Sequence, residues 1–168
     1  MNRFTRAIPN ALTLGNLLCG AAAIGSVAMG APPAHAVLWI ILGLVCDLMD
    51  GRAARRLGSS GPFGAQLDSL ADLVTFGVAP AVALYAWKLN EAGVLGLIGC
   101  AAIVAAAATR LARFTVAADG PKPAGPARFS GLAVTIPAAI ILGAIAADLA
   151  IPPAAVALGA LVLAALMV

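Results

Sequence analysis

Four aspartates are the residues of this chain best suited to chemistry. They lie in two short stretches, Asp47-Leu-Met-Asp50 and Asp68-Ser-Leu-Ala-Asp72, and make up four of the seven acidic residues. Spacings of three and four residues place side chains on one face of a helix. The connection between the two predicted helices is short, so we expect antiparallel neighbours whose acidic faces meet.

Four carboxylates at one depth repel one another in a poorly solvated site, so they must take up protons or bind cations. Oxygen ligands without His or Cys beside them favour Mg²⁺ or Mn²⁺ over zinc. Two such ions can share four carboxylates, and a two-metal site suits displacement at phosphorus. The alternative is a salt-bridge cluster with Arg52, Arg55 and Arg56 that only holds helices together, which would require no helical register.

Small residues accompany the acidic stripes. Gly51, Ala54 and Gly64 fall on the predicted facing surfaces and leave room for a nucleotide to lie against the backbone. Arg55 follows Gly51 by one helical turn, where its guanidinium can reach a phosphate oxygen. These residues predict a binding site for a phosphate-containing nucleotide beside the metal.

The composition places this chemistry in a membrane. The 168 residues are 62% hydrophobic and only 10% charged, with a mean hydropathy of +1.04. Soluble domains carry about 25% charged residues. Lipid solvates apolar surface, so a membrane protein needs no such polar coat. Alternating strand patterns are absent, and we therefore predict an all-α integral membrane protein.

Six apolar segments of about 20 residues, the length that spans a bilayer, can be drawn along the chain. They cover approximately 10–30, 35–57, 64–88, 92–113, 131–149 and 152–168, and residues 1–168 form one predicted transmembrane domain. Pro- and Gly-rich breaks separate them. The chain stops inside the sixth segment, as a C-terminally truncated chain or a short family member would.

The basic residues set the predicted orientation. With the N-terminus in the cytoplasm, all but Lys88 fall on the cytoplasmic side, which is a strong positive-inside bias. The nine are Arg3, Arg6, Arg52, Arg55, Arg56, Arg110, Arg113, Lys122 and Arg128. Six spans also place the C-terminus in the cytoplasm, at the cell inner membrane. Topology thus explains the net charge of +3 without nucleic acid. A cleaved signal peptide ending at Ala34-His35-Ala36 is a weaker alternative.

The acidic stretches together form a longer pattern, Asp47-x₂-Asp50-Gly51-x₂-Ala54-Arg55-x₈-Gly64-x₃-Asp68-x₃-Asp72. It resembles the signature of the CDP-alcohol phosphotransferases at every defined position. The resemblance implies a six-helix membrane core, usually a homodimer, with a site open to the cytoplasm. It also implies that the four aspartates bind the metal and that Asp72 accepts the proton of the attacking alcohol.

Within this family, the stretch from Asp68 through Phe76-Gly77-Val-Ala-Pro80 looks like the membrane-type phosphatidylserine synthases. Pro9-Asn10-Ala-Leu-Thr13 and Arg110-Leu-Ala-Arg113-Phe114 are similar to them too, so the likeness covers roughly residues 9–114. Two departures follow: Thr115 stands where such synthases often have Asn, and Ala133 where they often have Pro. The resemblance implies CDP-diacylglycerol and L-serine as substrates.

Binding of the serine carboxylate needs cations, and an Arg can hold a carboxylate bidentately. Arg110 and Arg113 are the first candidates, although each is equally explained as a positive-inside anchor; Arg128 is a weaker candidate, for which the anchor is the better explanation. Asn10 faces the nucleotide in one interpretation and caps the first helix in the other.

Other functions stay open at this point. Glycerol 3-phosphate or inositol phosphate as acceptor would need a denser basic pocket. A divalent-cation transporter would need ligands near mid-membrane and access from both faces, whereas these carboxylates cluster towards one face. A pure assembly subunit would give no reason for the carboxylate register.

Overall fold

The computed structural model describes residues 3–58, 61–119 and 132–168, and these ranges contain helices and connecting turns but no strand. The α-helices are α1 (Arg3–Ala28), α2 (Pro33–Leu57), α3 (Pro62–Asp72), α4 (Ala79–Trp87), α5 (Gly93–Asp119), α6 (Thr135–Ala146) and α7 (Pro153–Met167). A π-helix, Leu73–Val78, joins α3 to α4, and a 3₁₀ turn, Leu89–Ala92, leads into α5. The predicted all-α class is confirmed.

The described ranges contain six apolar helical segments if α3, the π-helix and α4 are taken as one continuous rod, Pro62–Trp87. In this part of the chain, four segments are long and apolar enough to cross a membrane: the rod, Ala7–Ala28, Pro33–Leu57 and Leu89–Val116. The last two helices, α6 and α7, are apolar but have only 12 and 15 residues. At a rise of 1.5 Å per residue they extend about 18 and 22 Å, less than the bilayer core of about 30 Å. The structure thus confirms a membrane protein of six helical segments, with two shorter than expected.

Helix α1 is the centre of the N-terminal half. It packs along α2 and also contacts α3 and the π-helix. The sequence predicted close packing of α2 against α3, but in the structure α3 packs mainly on α1, and α2 meets the rod mostly through α4. The ends of α2 and α3 therefore leave space between them, and this space holds the site described below.

The turn after α2 begins at Gly58, whose φ of 59° lies in the left-handed region. Its amide donates to the carbonyl of Ala54. Glycine adopts this conformation without the steric cost that a Cβ brings. Arg55 and Arg56 occupy the last turn of α2, where positive charge is favourable. The end of the apolar helix is thus well defined just beyond the first pair of aspartates.

Small residues form the core between α5 and α7. A Cβ on Gly99 would lie 3.3 Å from the Cβ of Ala160 and 3.4 Å from the carbonyl oxygen of Ala157. Both alanines are buried, so the two helix backbones approach closely. Helices in lipid commonly associate through such contacts, because small residues let the backbones approach closely and increase the van der Waals attraction between them.

Candidate active site

Three of the four aspartates form a compact acidic cluster. One carboxylate oxygen from each of Asp47, Asp50 and Asp68 lies within 4.8 Å of the others. Asp50 is only 5% exposed, and the other two are half-buried. Oxygen donors at this spacing, with no Cys or His among them, suit a hard divalent cation. The cluster therefore fits the divalent metal that the sequence predicts.

Asp72 lies one turn beyond Asp68 on α3 and is not part of that close group of three. Its Oδ1 accepts a hydrogen bond of 3.1 Å from Nδ2 of Asn16 on α1. The i, i+4 spacing keeps Asp68 and Asp72 on one face of α3. The predicted stripe is present: Asp68 belongs to the acidic cluster, and Asp72 accepts a hydrogen bond from a neutral amide.

Asp50 is also held by α1. The hydroxyl of Thr13 lies 2.7 Å from Oδ2 of Asp50 and 3.0 Å from the carbonyl oxygen of Pro9. A hydroxyl carries a single proton, and hydrogen bonds to a carboxylate are the shorter and stronger ones. We therefore assign the Thr13 proton to Asp50. Because Thr13 is itself only 4% exposed, this bond fixes the rotation of the Asp50 side chain.

An open cavity of about 180 Å³ adjoins the cluster. Asp50 and Asp68 form part of its wall. The other lining residues come from the ends of α1 and α2 and the start of α3; they are Pro9, Asn10, Thr13, Gly51, Ala54, Gly61, Gly64 and Ala65. The residues predicted to make room for a nucleotide thus line one cavity, and Asn10 lies in its wall rather than at the start of α1. A Cβ on Gly64 would come within 3.5 Å of Asn10 Oδ1.

The arginines at the end of α2 do not neutralise the cluster. Arg52 donates to the carbonyl of Leu48 at 3.2 Å. Arg55 is exposed and folds back over Gly51, since its Nη1 lies 3.5 Å from the position of a Cβ there. Among the side chains that the structure describes, none of these aspartates forms an ion pair with an arginine. The salt-bridge alternative therefore lacks its defining contacts, and the guanidinium of Arg55 lies beside Gly51, which lines the cavity.

The three arginines predicted to bind the acceptor differ from one another. Arg110 is half-buried, and within the described part of the chain its buried Nε has no hydrogen-bond partner. Arg113 is exposed and donates from Nη1 to the backbone carbonyl of Val168 at 2.6 Å. Arg128 lies outside the described residues. Arg110 is therefore the arginine of α5 that retains an uncommitted buried donor.

Two site residues on α1, Thr13 and Asn16, were not among the predicted site residues. The signal for them was present, because Asn10, Thr13 and Asn16 repeat every three residues inside a stretch, 7–25, that is otherwise apolar. Polar groups are costly in a membrane span and usually mark function. Asn16 is fully buried, and its partner Asp72 lies on α3. The sequence does not give the packing of α1 against α3, so this partner could not be predicted.

The acidic cluster, the cavity and the six-segment helical fold together agree with one known family. The sequence profile of the CDP-alcohol phosphatidyltransferases matches residues 6–168. This chain belongs to that family. Members of the family depend on divalent metal, which agrees with the acidic cluster.

Several curated relatives carry the same name, CDP-diacylglycerol–serine O-phosphatidyltransferase. The relative from Bacillus subtilis is 38% identical over 109 residues, which are 65% of this chain and 61% of that protein. The relative from Mycobacterium leprae is 35% identical over 144 residues, covering 84% of this chain and 47% of that protein. The relative from Methanocaldococcus jannaschii is 44% identical over 77 residues, which are 46% of this chain and 37% of that protein. The matches thus span 61% or less of each of these relatives.

Proposed function

We propose that this protein is a phospholipid-synthesising transferase that moves the phosphatidyl group of CDP-diacylglycerol to L-serine, giving phosphatidylserine and CMP. The observation that carries the proposal is the gathering of three carboxylates beside the cavity lined by Gly51, Ala54 and Gly64. The names of the relatives support serine as the acceptor.

In this proposal Asp47, Asp50, Asp68 and Asp72 hold two divalent ions, Mg²⁺ or Mn²⁺. When bound, these ions would offset the charge of the diphosphate and of the departing CMP. Thr13 keeps Asp50 turned towards its neighbours through the 2.7 Å hydrogen bond. The protein thereby holds carboxylates in place that would otherwise repel one another.

The small cavity residues and Arg55 bind the nucleotide end of the donor. Gly51, Ala54 and Gly64 present little side-chain bulk, and Asn10 offers an amide to the same space. Arg55 can fold from Gly51 towards a phosphate oxygen. The acyl chains stay in the surrounding lipid, and we place the cavity at the cytoplasmic face of the cell inner membrane, with both termini on that side.

Asp72 acts as the general base. It takes the proton of the serine hydroxyl, whose oxygen attacks the phosphorus that carries diacylglycerol. The new bond joins serine Oγ to phosphorus, and the bond from phosphorus to the oxygen of CMP breaks. CMP leaves with the electron pair of that bond. A positioned base of this kind contributes about 10²–10⁴-fold to a rate.

Arg110 is the first choice for the serine carboxylate, because its buried Nε has no partner among the described residues. Arg113 is exposed, so we assign it a smaller part, and Arg128 remains a third candidate. We also propose a homodimer, which follows from membership in the family and is tested by mass measurement of the protein in lipid nanodiscs.

The test is CMP release by purified protein with Mn²⁺ or Mg²⁺ and CDP-diacylglycerol. L-Serine, glycerol 3-phosphate, inositol phosphate and no acceptor are compared, with Asp72→Asn as the control. Release that requires both L-serine and Asp72 supports the proposal. Release with another alcohol would keep the chemistry and overturn the acceptor, whereas no release with any acceptor would overturn the transferase itself.

A further inference from the structure

Asn16 stands out among the polar residues of α1 because it is completely buried and only partly satisfied. Its Nδ2 donates to Oδ1 of Asp72 at 3.1 Å. Its own Oδ1 is buried, and within the described part of the chain it has no hydrogen-bond partner. A buried acceptor without a partner is unfavourable, and such exceptions in a folded protein call for a reason.

The surroundings of the amide explain its orientation. Its Oδ1 faces Gly43 on α2, where an added Cβ would come within 3.0 Å of it. Rotating the amide by half a turn would bring that oxygen against the carboxylate of Asp72, and two acceptors at hydrogen-bond distance repel. The observed orientation therefore leaves one oxygen unsatisfied and gives Asp72 its donor.

The backbone of Asn16 is fixed on the same side. Thr75, in the π-helix that directly follows Asp72, donates from Oγ1 to the carbonyl oxygen of Asn16 at 2.9 Å. One turn along α1, a Cβ on Gly20 would lie 2.9 Å from the Cα of Thr75 and 3.0 Å from its nitrogen. Helix α1 thus rests directly on the π-helix. Side chain and backbone of Asn16 bind the same short segment at Asp72 and Thr75.

From these contacts we infer that Asn16 is a positioning residue for Asp72. By donating to Oδ1 it fixes the rotation of the carboxylate and leaves Oδ2 to receive the proton of the attacking alcohol. Thr75 holds Asn16 in register with the residue it orients. The inference rests on the proposed function in one respect, the role of Asp72 as base, whereas the contact itself does not depend on it.

The kinetic test compares five variants with the wild type in lipid nanodiscs. Asn16→Asp keeps the volume but replaces the donor with an oxygen, and Asn16→Ala removes the amide. Each should lower kcat about 10–100-fold, the range seen when partners of functional side chains are lost. KM for both substrates should stay within about twofold, because no substrate contact is lost. Ser26→Ala is the matched control, since Ser26 is buried on α1 and its hydroxyl donates to the carbonyl of Ala23 in the same helix.

The fourth variant, Thr75→Val, keeps the shape and removes the hydroxyl that holds the carbonyl of Asn16. We expect a smaller fall in kcat, about three- to tenfold, and Thr75→Ser should restore it because the hydroxyl returns. This pair keeps the test decisive if Asn16→Asp does not fold. Equal kcat values for Thr75→Val and Thr75→Ser would count against the inference.

An infrared measurement on protein without metal or substrate examines the contact apart from catalysis. The band of the Asp72 carboxyl group is the difference between the wild-type spectrum and that of Asp72→Asn. In the Asn16→Ala background, it is the difference between the spectra of Asn16→Ala and of the double variant with Asp72→Asn. The band should move when Asn16 is replaced and stay in place in Ser26→Ala. An unmoved band, or normal kcat in both Asn16 variants while Asp72→Asn is inactive, overturns the inference and leaves the proposed function standing. A wild type that releases no CMP would instead overturn the function, and the band would still decide the contact.

Discussion

The two halves of this membrane protein use their apolar helices for different purposes. The acidic half, formed by α1, α2 and α3, places carboxylates, a buried amide and a buried hydroxyl at helical spacing around a cavity. In the packing half, formed by α5, α6 and α7, α5 and α7 meet through glycine and alanine at close approach. Like charges, and a buried amide oxygen without a partner among the described residues, are unfavourable features of the acidic half.

This difference implies that stability and activity depend on different residues of the molecule. Residues of the acidic half should be replaceable without loss of the fold but not without loss of function. The buried glycine and alanine residues between α5 and α7 should behave in the opposite way. Natural proteins commonly accept such local cost at functional sites.

Withdrawal of divalent metal should have the largest effect. We expect EDTA to abolish CMP release and Mg²⁺ or Mn²⁺ to restore it. Because the metal binds only the folded protein, a metal concentration 100 times Kd should stabilise it by about 2.7 kcal/mol. Thermal unfolding in nanodiscs measures this as a rise in Tm. A Tm that does not respond to either ion would contradict the assignment of the acidic cluster.

Asp68→Asn should come next. The change keeps the side-chain volume and removes one charge from the cluster, so several kcal/mol of transition-state stabilisation are lost and kcat should fall about 10³-fold. The metal-free variant should unfold at the wild-type Tm or above, because repulsion within the cluster decreases. It should also lose the rise in Tm with Mg²⁺. A large fall in Tm of the metal-free variant would mean that Asp68 stabilises the fold instead.

Gly64→Leu tests the cavity. The side chain would grow towards Asn10, which lies 3.5 Å from the position of the Cβ, and fill the space expected for the nucleotide. We expect KM for CDP-diacylglycerol to rise about tenfold, a loss of about 1.4 kcal/mol of binding. Gly64→Ala is the control: its Cβ makes ordinary contact, and stability should improve by up to about 1 kcal/mol. Equal KM values in the two variants would place the nucleotide elsewhere.

Ala160→Leu should affect activity least and stability most. Ala160 is 2% exposed and faces Gly99 at close approach, so a larger side chain forces α5 and α7 apart at a cost of about 1–3 kcal/mol. Tm should fall while kcat per folded molecule stays normal. A fall in kcat with unchanged Tm would remove the distinction between the two halves.

The sequence predicted the helical class, the six segments and the acidic residues because these depend on local spacing. Asp47, Asp50 and Asp68 meet as their positions on two helix faces require. The cavity residues Gly51 and Gly64 followed from the same argument, since small residues beside an acidic stripe leave room. These features follow from the 3.6-residue period of the α-helix and from the number of apolar residues that spans a bilayer.

Other features depend on how helices pack, which the sequence does not state. The contact of Asn16 with Asp72 requires α1 to lie against α3, where the sequence suggested α2 as the neighbour. The π-helix after Asp72 has no sequence signal of its own, and Thr75 acquires its role only through it. The short α6 and α7 were predicted as full spans because hydropathy alone does not fix where a helix begins and ends.

The most direct test of the central claim uses L-serine labelled with ¹⁸O in its hydroxyl group. Wild-type protein is incubated with the labelled serine, CDP-diacylglycerol and Mn²⁺, and the masses of phosphatidylserine and CMP are measured by mass spectrometry. If serine Oγ attacks the phosphorus at this site, the label is retained in phosphatidylserine and absent from CMP, and Asp72→Asn forms neither product. Phosphatidylserine without the label, or CMP formed without any phosphatidylserine, would contradict the account.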